Sequence, residues 1–243
     1  MMMPWMEEEN MTIELLSEWL QSSNSTVILT GAGMSTESGI PDFRSTSGWW
    51  NNIDPRTVAT TEALAQNYSL FHEFYKMRIE NLEKVAPHEG HQILAEWEKR
   101  GIVSLVATQN VDGFHQFAGS QRVEELHGSI RSIRCHRCEK AAPMESFLHK
   151  ESCAYCGDKL RPNVVLFGEN LPQISWNNAM EAIRAAELVL VIGTSLEVYP
   201  VNQLPMMTKG KTAYINLDIA HHAVQFDLTI EGKVKEVLQQ LPL

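Results

Sequence analysis

The residues best suited to chemistry in this sequence fall into a few tight groups. Cys135, Cys138, Cys153 and Cys156 form two Cys-x-x-Cys knuckles separated by fourteen residues. Each knuckle can present two thiolates to one ion, and four thiolates complete a tetrahedral zinc shell. Such a shell is closed, leaving no position for water, so the site reads as structural. A pair of disulfides is the competing reading and fits a reducing compartment poorly. His136, inside the first knuckle, is expected to be exposed and not a ligand.

A second group is Thr30-Gly31-Ala32-Gly33-Met34-Ser35, directly after the apolar run Val27-Ile28-Leu29. Glycines there let the backbone approach a pyrophosphate, and a following helix N-terminus would offer free N–H groups. Taken alone, the same residues describe a tight strand-to-helix turn. Thr36 stands where the dinucleotide fingerprint has its third glycine. The chain continues as Gly39-Ile40-Pro41-Asp42-Phe43-Arg44. That segment cannot extend a helix. It offers a carboxylate, an aromatic ring and a guanidinium beside the glycine turn. Thr108-Gln109-Asn110-Val111-Asp112 follows another apolar run, Ile102 to Ala107. In open α/β sheets ligands lie beyond the carboxyl ends of strands. Alone, the stretch is equally an Asn/Asp turn with a helix cap at Asp112.

Elements must position these groups. A helix is expected from Thr12, with Leu15, Leu16, Trp19 and Leu20 on one face, and another from about His88 to Lys99, stopped by Gly101. The stretch from Ser45 to Pro87 reads as helical, with Leu64, Phe71, Phe74, Tyr75 and Leu82 packing. Strands are expected at Val27–Leu29, Ile102–Ala107, Val164–Phe167, Leu188–Ile192 and Thr212–Ile215, with a helix over Ser175–Ala186. This alternation predicts an α/β fold, a Rossmann-like doubly wound parallel sheet. The cysteine segment interrupts it as an insertion. The expected division is a Rossmann-like part over 12–44, 86–129 and 163–243. A small inserted domain would be helical over 45–85 and zinc-binding over 130–162.

The 243 residues carry a formal net charge of −10, with 44% hydrophobic and 21% charged residues. That is ordinary globular composition. The acidic balance disfavours general nucleic-acid binding and is compatible with basic, lysine-rich partners. No apolar stretch reaches the ~20 residues needed to span a bilayer. Glu7, Glu8 and Glu9 oppose a signal peptide. A soluble cytoplasmic protein is the expectation.

Taken in series, Gly31 to Arg44, Thr108 to Asp112 and His127-Gly128 resemble the sirtuin family of NAD-dependent protein deacylases. Gly193-Thr194-Ser195-Leu196, with Val198 and Pro200, matches a further family motif. So do Arg161 to Glu169 and Asn216. The resemblance covers about residues 25 to 235. It implies removal of an acyl group, acetyl first, from protein lysines, with release of nicotinamide and O-acyl-ADP-ribose. Implied cofactors are NAD and zinc, and the implied partner is an acylated lysine. Gly31, Ala32 and Gly33 would meet the NAD diphosphate, with Asp42 and Arg44 nearby and Phe43 over the nicotinamide ribose. Asn110 and Asp112 would hold the carboxamide, with Asn110 counted as catalytic, and Gln109 a ribose hydroxyl. Gly193, Thr194, Ser195 and Asn216 would hold the adenosine half. Val165 and Phe167 would line the acyl-lysine tunnel, and Gly168, Glu169 and Val198 would clamp the peptide as an added strand. His127 would be the general base, which suits an imidazole with an ordinary pKa near 6.5.

Tyr75-Lys76-Met77-Arg78 resembles the Tyr-x-x-Arg of sirtuins that prefer succinyl- or malonyl-lysine, since residues three apart share a helix face. Against it, Pro41-Asp42 follows the deacetylase-like form of the loop. Other classes compete. A Rossmann oxidoreductase would require an acidic residue near the end of the second strand. A zinc-ribbon interaction module would use the basic cluster Arg131, Arg134, Arg137 and Lys140.

Overall fold

The computed structural model describes residues 4–41, 54–219 and 225–241. Asp42, Phe43 and Arg44 lie outside them. The chain opens with α1 (Pro4–Ser22), β1 (Thr26–Thr30) and a single turn, α2 (Gly33–Thr36). Helices α3 (Pro55–Val58), α4 (Thr61–Gln66) and α5 (Tyr68–Leu82) follow. Next come α6 (Glu89–Lys99), β2 (Val103–Thr108), α7 (Phe114–Ala118) and β3 (Val123–Glu125). A second group comprises β4 (Gly128–Cys135), β5 (Ala141–Ala142), α8 (Met144–Leu148) and β6 (Leu160–Val164). The chain then forms α9 (Gln173–Ala185), β7 (Leu188–Ile192), a 3-10 helix (Val201–Met207), β8 (Lys211–Asn216), β9 (Leu228–Glu231) and α10 (Val234–Gln240).

Six strands form one parallel sheet in the order β3-β2-β1-β7-β8-β9. Successive side chains point to opposite faces of the pleat, and β1 and β7 are buried at every position, as strands covered on both faces must be. Ile28, Leu188, Leu190 and Ile192 pack on one face with Leu16 and Leu20 of α1, Leu94 and Trp97 of α6, and Leu238 of α10. Val27, Leu29, Val189 and Val191 pack on the other with Ala179 and Ile183 of α9 and Leu204 of the 3-10 helix. The sheet is therefore covered on both sides, and the doubly wound fold follows.

The four cysteines lie among a separate antiparallel sheet, order β5-β4-β6, and its flanking turns. One hydrophobic cluster joins it to the helical stretch: Phe71, Phe74 and Tyr75 of α5 pack with Ile133, Cys135, Phe147 and Leu160. Polar contacts reinforce the seam. Tyr68 Oη donates to the Leu160 carbonyl at 2.7 Å, and Lys159 Nζ donates to the Leu64 and Ala65 carbonyls at 3.1 Å.

Two expectations are corrected. Leu15 is 37% exposed, and Ile13 takes its place beside Leu16, Trp19 and Leu20 on the buried face. The apolar run at Val164–Phe167 is not a strand of the parallel sheet. Pairing of Gly128 with Val164 and of Cys135 with Leu160 draws β6 into the small sheet. Beyond it Phe167 leaves the sheet, its N–H donating to the Ala59 carbonyl at 2.9 Å.

Candidate active site

β1 has β2 on one side and β7 on the other, and the chain order runs outward from it in opposite directions. A crevice opens beyond the carboxyl ends of β1 and β7 at such a switch point. Three glycines make it. Gly33 N–H donates to the Gly193 carbonyl at 2.7 Å, and Gly31 N–H to the Ile192 carbonyl at 3.1 Å. A Cβ on Gly193, whose φ is +61°, would lie 2.3 Å from the Met34 nitrogen. A Cβ on Gly31 would lie 2.5 Å from Cβ of Thr194. The turns after β1 and β7 thus meet backbone to backbone.

The phosphate-cradling helix inferred from sequence is only the single turn α2. Its first N–H, on Gly33, is already bonded to Gly193. Thr36 replaces the third fingerprint glycine without penalty because it is exposed there, its hydroxyl turned back to the Gly33 carbonyl at 3.0 Å.

Polar residues at the end of β2 fill one wall. Gln109 Nε2 donates to Thr194 Oγ1 at 3.0 Å, which links that strand end to the β7 turn. Asn110 Nδ2 donates to the Gly31 carbonyl at 3.0 Å and to Ser35 Oγ at 3.2 Å. Ser35 Oγ donates to Asp112 Oδ2 at 2.7 Å. Asp112 Oδ1 accepts the Phe114 N–H at 2.9 Å, so the same carboxylate starts α7 and faces the crevice group. Burial pushes the Asp112 carboxyl up, opposed by the Phe114 and Ser35 hydrogen bonds. Asp112 is an acidic residue near this strand end, but its two carboxylate oxygens are engaged by the Phe114 N–H and the Ser35 hydroxyl.

Sequence reasoning assigned no role to Ser35, nor to the histidines behind it. His91 and His115 are 0% and 1% exposed. His91 Nε2 lies 3.4 Å from Ser35 Oγ, and His115 Nε2 lies 2.9 Å from Thr30 Oγ1. Thr30 Oγ1 in turn donates to Thr108 Oγ1 at 2.8 Å. Burial holds His91 down at about 2 and His115 at about 4, so both rings are neutral. Ser35 was legible as a polar residue inside the glycine motif. The histidines carried no local signal, because they reach the site from α6 and α7.

His127 lies between β3 of the parallel sheet and β4 of the small sheet. Its Nδ1 is 3.1 Å from the Gln109 carbonyl. A carbonyl only accepts, so Nδ1 carries the proton and Nε2 of the neutral ring keeps its lone pair. Burial lowers the His127 pKa, partly offset by that hydrogen bond. Gly128, with φ +72°, is required because a Cβ would lie 2.1 Å from the Asn163 carbonyl oxygen. Val165 N–H donates to the His127 carbonyl at 2.9 Å, which sets Val165 beside the histidine.

The remaining sequence-derived residues are distributed around this centre. Phe167 and Val198 are 53% and 43% exposed. The Glu169 carboxylate is gripped by both terminal nitrogens of the fully buried Arg161 and accepts the Leu166 N–H, so it orders the loop holding Gly168. Ser195 is partly buried beyond β7. Asn216 ends β8, its Nδ2 donating to the Asp218 carbonyl at 2.6 Å. Tyr75 and Arg78 do come together: both are buried on α5, and the guanidinium lies 5.6 Å from the Tyr75 ring centroid and 5.5 Å from that of Phe74.

The four cysteine sulfurs lie within 4.8 Å of one another, and all four are free thiols. A Zn–S bond of about 2.3 Å gives tetrahedral S···S edges of about 3.8 Å, and the closest pairs here are 3.4 and 3.6 Å. Backbone N–H groups of Arg137 and Tyr155 point at Cys135 and Cys153 Sγ, each at 3.4 Å, as thiolate ligands need. The residues fit zinc. His136 is exposed. Three of the four basic residues nearby have intramolecular partners: Arg131 bonds the Asp112 carbonyl and Glu83, Arg134 bonds Asn163, and Lys140 sits over the Tyr155 ring.

The model of the Sir2 family matches residues 31–200. A Geobacillus kaustophilus protein named NAD-dependent protein deacetylase 1 is 49% identical over 231 residues, covering 93% of this chain and 96% of its own. An NAD-dependent protein deacylase 2 of Pyrobaculum aerophilum is 41% identical, covering 93% of each chain. A solved Sir2 homolog–NAD complex matches with a TM-score of 0.89 at 38% identity, over 94% of this chain and 91% of that one. A Sir2 structure with deacetylated p53 peptide and 3'-O-acetyl ADP ribose matches with a TM-score of 0.85 at 36% identity, over 94% and 96%.

Proposed function

This chain belongs to the Sir2 family, and we propose that it is an NAD-dependent protein-lysine deacylase acting first on acetyl-lysine. Acyl-lysine, NAD and water would give lysine, nicotinamide and O-acyl-ADP-ribose. The observation that carries this reading is His127, whose Nδ1–H is anchored on the Gln109 carbonyl while Nε2 stays basic. The same Gln109 side chain reaches Thr194 across the crevice. His127 then accepts a ribose-hydroxyl proton at Nε2. Asn110 and Asp112, tied through Ser35, orient the nicotinamide end. Gly31, Ala32 and Gly33 with Asp42, Phe43 and Arg44 belong to the diphosphate and nicotinamide ribose. Gly193, Thr194, Ser195 and Asn216 belong to the adenosine half. Val165, Phe167, Gly168, Glu169 and Val198 belong to the acyl-lysine and its peptide. Cys135, Cys138, Cys153 and Cys156 would hold zinc, which would supply a structural cross-link. No helix among the described residues is long and apolar enough to cross a membrane, and a cytoplasmic setting is part of the same proposal, as is the two-part division drawn from the sequence.

The test is product analysis with NAD and an acetyl-lysine peptide. Nicotinamide, O-acetyl-ADP-ribose and deacetylated peptide are expected in equal amounts. His127→Ala should lower turnover by at least ~100-fold, the scale of general-base catalysis. Cofactor that returns intact or reduced would overturn the reading.

A second reading has its own observation. Arg78 is desolvated beside Tyr75, the pair that would grip a succinyl or malonyl carboxylate. Arg78→Met should then lower kcat/KM on succinyl-lysine about tenfold or more, with little change on acetyl-lysine. Equal losses on both would remove Arg78 from acyl selection.

A further inference from the structure

Beside the lysine site, an open trough of about 710 Å³ runs across the outer face of the small sheet. Its lining includes Gly128 and Val165, next to His127, and also Arg134 and Glu139, toward the zinc knuckles. The loop bearing Gly168 and Glu169 forms one bank.

The charges in this trough are unevenly matched. Glu169 is neutralised by its two-pronged pair with buried Arg161. Arg134 Nε is held by Asn163 Oδ1 at 3.0 Å, which fixes the plane of its guanidinium. Two trough carboxylates act on it: Glu169, which Arg161 already grips, and Glu139, 3.9 Å away on a side chain that is 80% exposed. A pair that long and that solvated is weak. The Arg134 side chain is itself only 22% exposed, so its charge is less screened than a surface charge. A planar guanidinium held in this way favours a carboxylate over other side chains.

We propose that the trough is a subsite for substrate residues flanking the acylated lysine, and that Arg134 selects an aspartate or glutamate there. The inference rests on the deacylase reading above, because continuity with Val165 and Gly168 is what makes the occupant a substrate segment. It also runs against the whole-molecule field. A chain of net charge −10 attracts basic peptides in general, so an acidic preference at one position reports the trough and not the overall charge. Glu139 is the internal competitor that an incoming carboxylate displaces.

The test walks a single Glu, with Gln as isostere, through about four positions on either side of acetyl-lysine in one peptide series. One position or two neighbouring ones should show kcat/KM higher for Glu than Gln by about fivefold, mainly through KM and shrinking with salt. Arg134→Gln should bring the Glu peptide down to the Gln peptide. Arg134→Lys should keep part of the preference, and Glu139→Gln should enlarge it. A Glu/Gln ratio below about twofold at every position would overturn the subsite, as would a preference that survives Arg134→Gln. Failure to deacylate any peptide would overturn the deacylase reading and the subsite with it.

Discussion

Ser35 shows how much of this site depends on one small side chain. It is 1% exposed, donates to Asp112 Oδ2 and accepts from Asn110 Nδ2, with His91 Nε2 on its far side. Ser35→Ala removes the link while leaving the volume nearly intact. Each buried polar group left behind costs free energy, about 1.5–3 kcal/mol where the partner is charged. The expected outcome is a drop of about 10- to 100-fold in kcat/KM for NAD, read from nicotinamide release. Unchanged NAD kinetics would mean that Asn110 and Asp112 hold their poses without it. Gln109, Asn110 and Asp112 were legible because a polar cluster ending an apolar run is a local pattern. Ser35 and His91 acquire roles only when β1, β2 and α6 converge.

Among the elements, the meeting of the β1 and β7 turns is the most exacting. Gly193 combines a left-handed backbone with a contact that leaves no room for a methyl group. Gly193→Ala should destabilise the fold by about 2 kcal/mol or more, lowering the melting temperature by about 5 °C, and should weaken NAD binding. A variant that melts like the wild type and binds NAD normally would show that the two turns can separate without cost. Gly31 and Gly33 could be read from the sequence as a turn and Gly193 through the family motif, but not that these glycines face one another. The edge strands β3 and β9 escaped notice for a related reason. They are three and four residues long and half-solvated, so they lack the continuous apolar run that marked β1 and β7. β6 was placed late because Val164 to Phe167 is the more apolar run, while pairing with β4 selects Leu160 to Val164.

The molecule hides neutral histidines behind the crevice, and this sets its response to acid. His91 and His115 have native pKa values of about 2 and about 4, held down by burial. In the unfolded chain both return to about 6.5. Their contribution is complete above pH 6.5 and is lost as pH falls, because the unfolded state binds protons that the native state refuses. Each contributes roughly 1.4 kcal/mol per pH unit until its native pKa is reached. Asp112, raised by burial, acts with the opposite sign. Denaturant midpoints should therefore fall between pH 7 and pH 5, and His115→Gln should flatten that slope. A flat profile in the unsubstituted protein would contradict the neutral, buried assignment.

The sequence alone determined the alternation of buried strands and helices, the tetrathiolate knuckles and the run of motifs that marks the family. Each of these is written in neighbours along the chain, through hydrophobic period, ligand spacing or turn chemistry. The tertiary structure alone decided which turns touch, which polar groups share Ser35, how Nδ1 of His127 is anchored and where Arg134 lies relative to Val165 and Gly168. Those are contacts between residues tens to more than a hundred positions apart. Their distances depend on sheet order and helix packing, which no local pattern encodes.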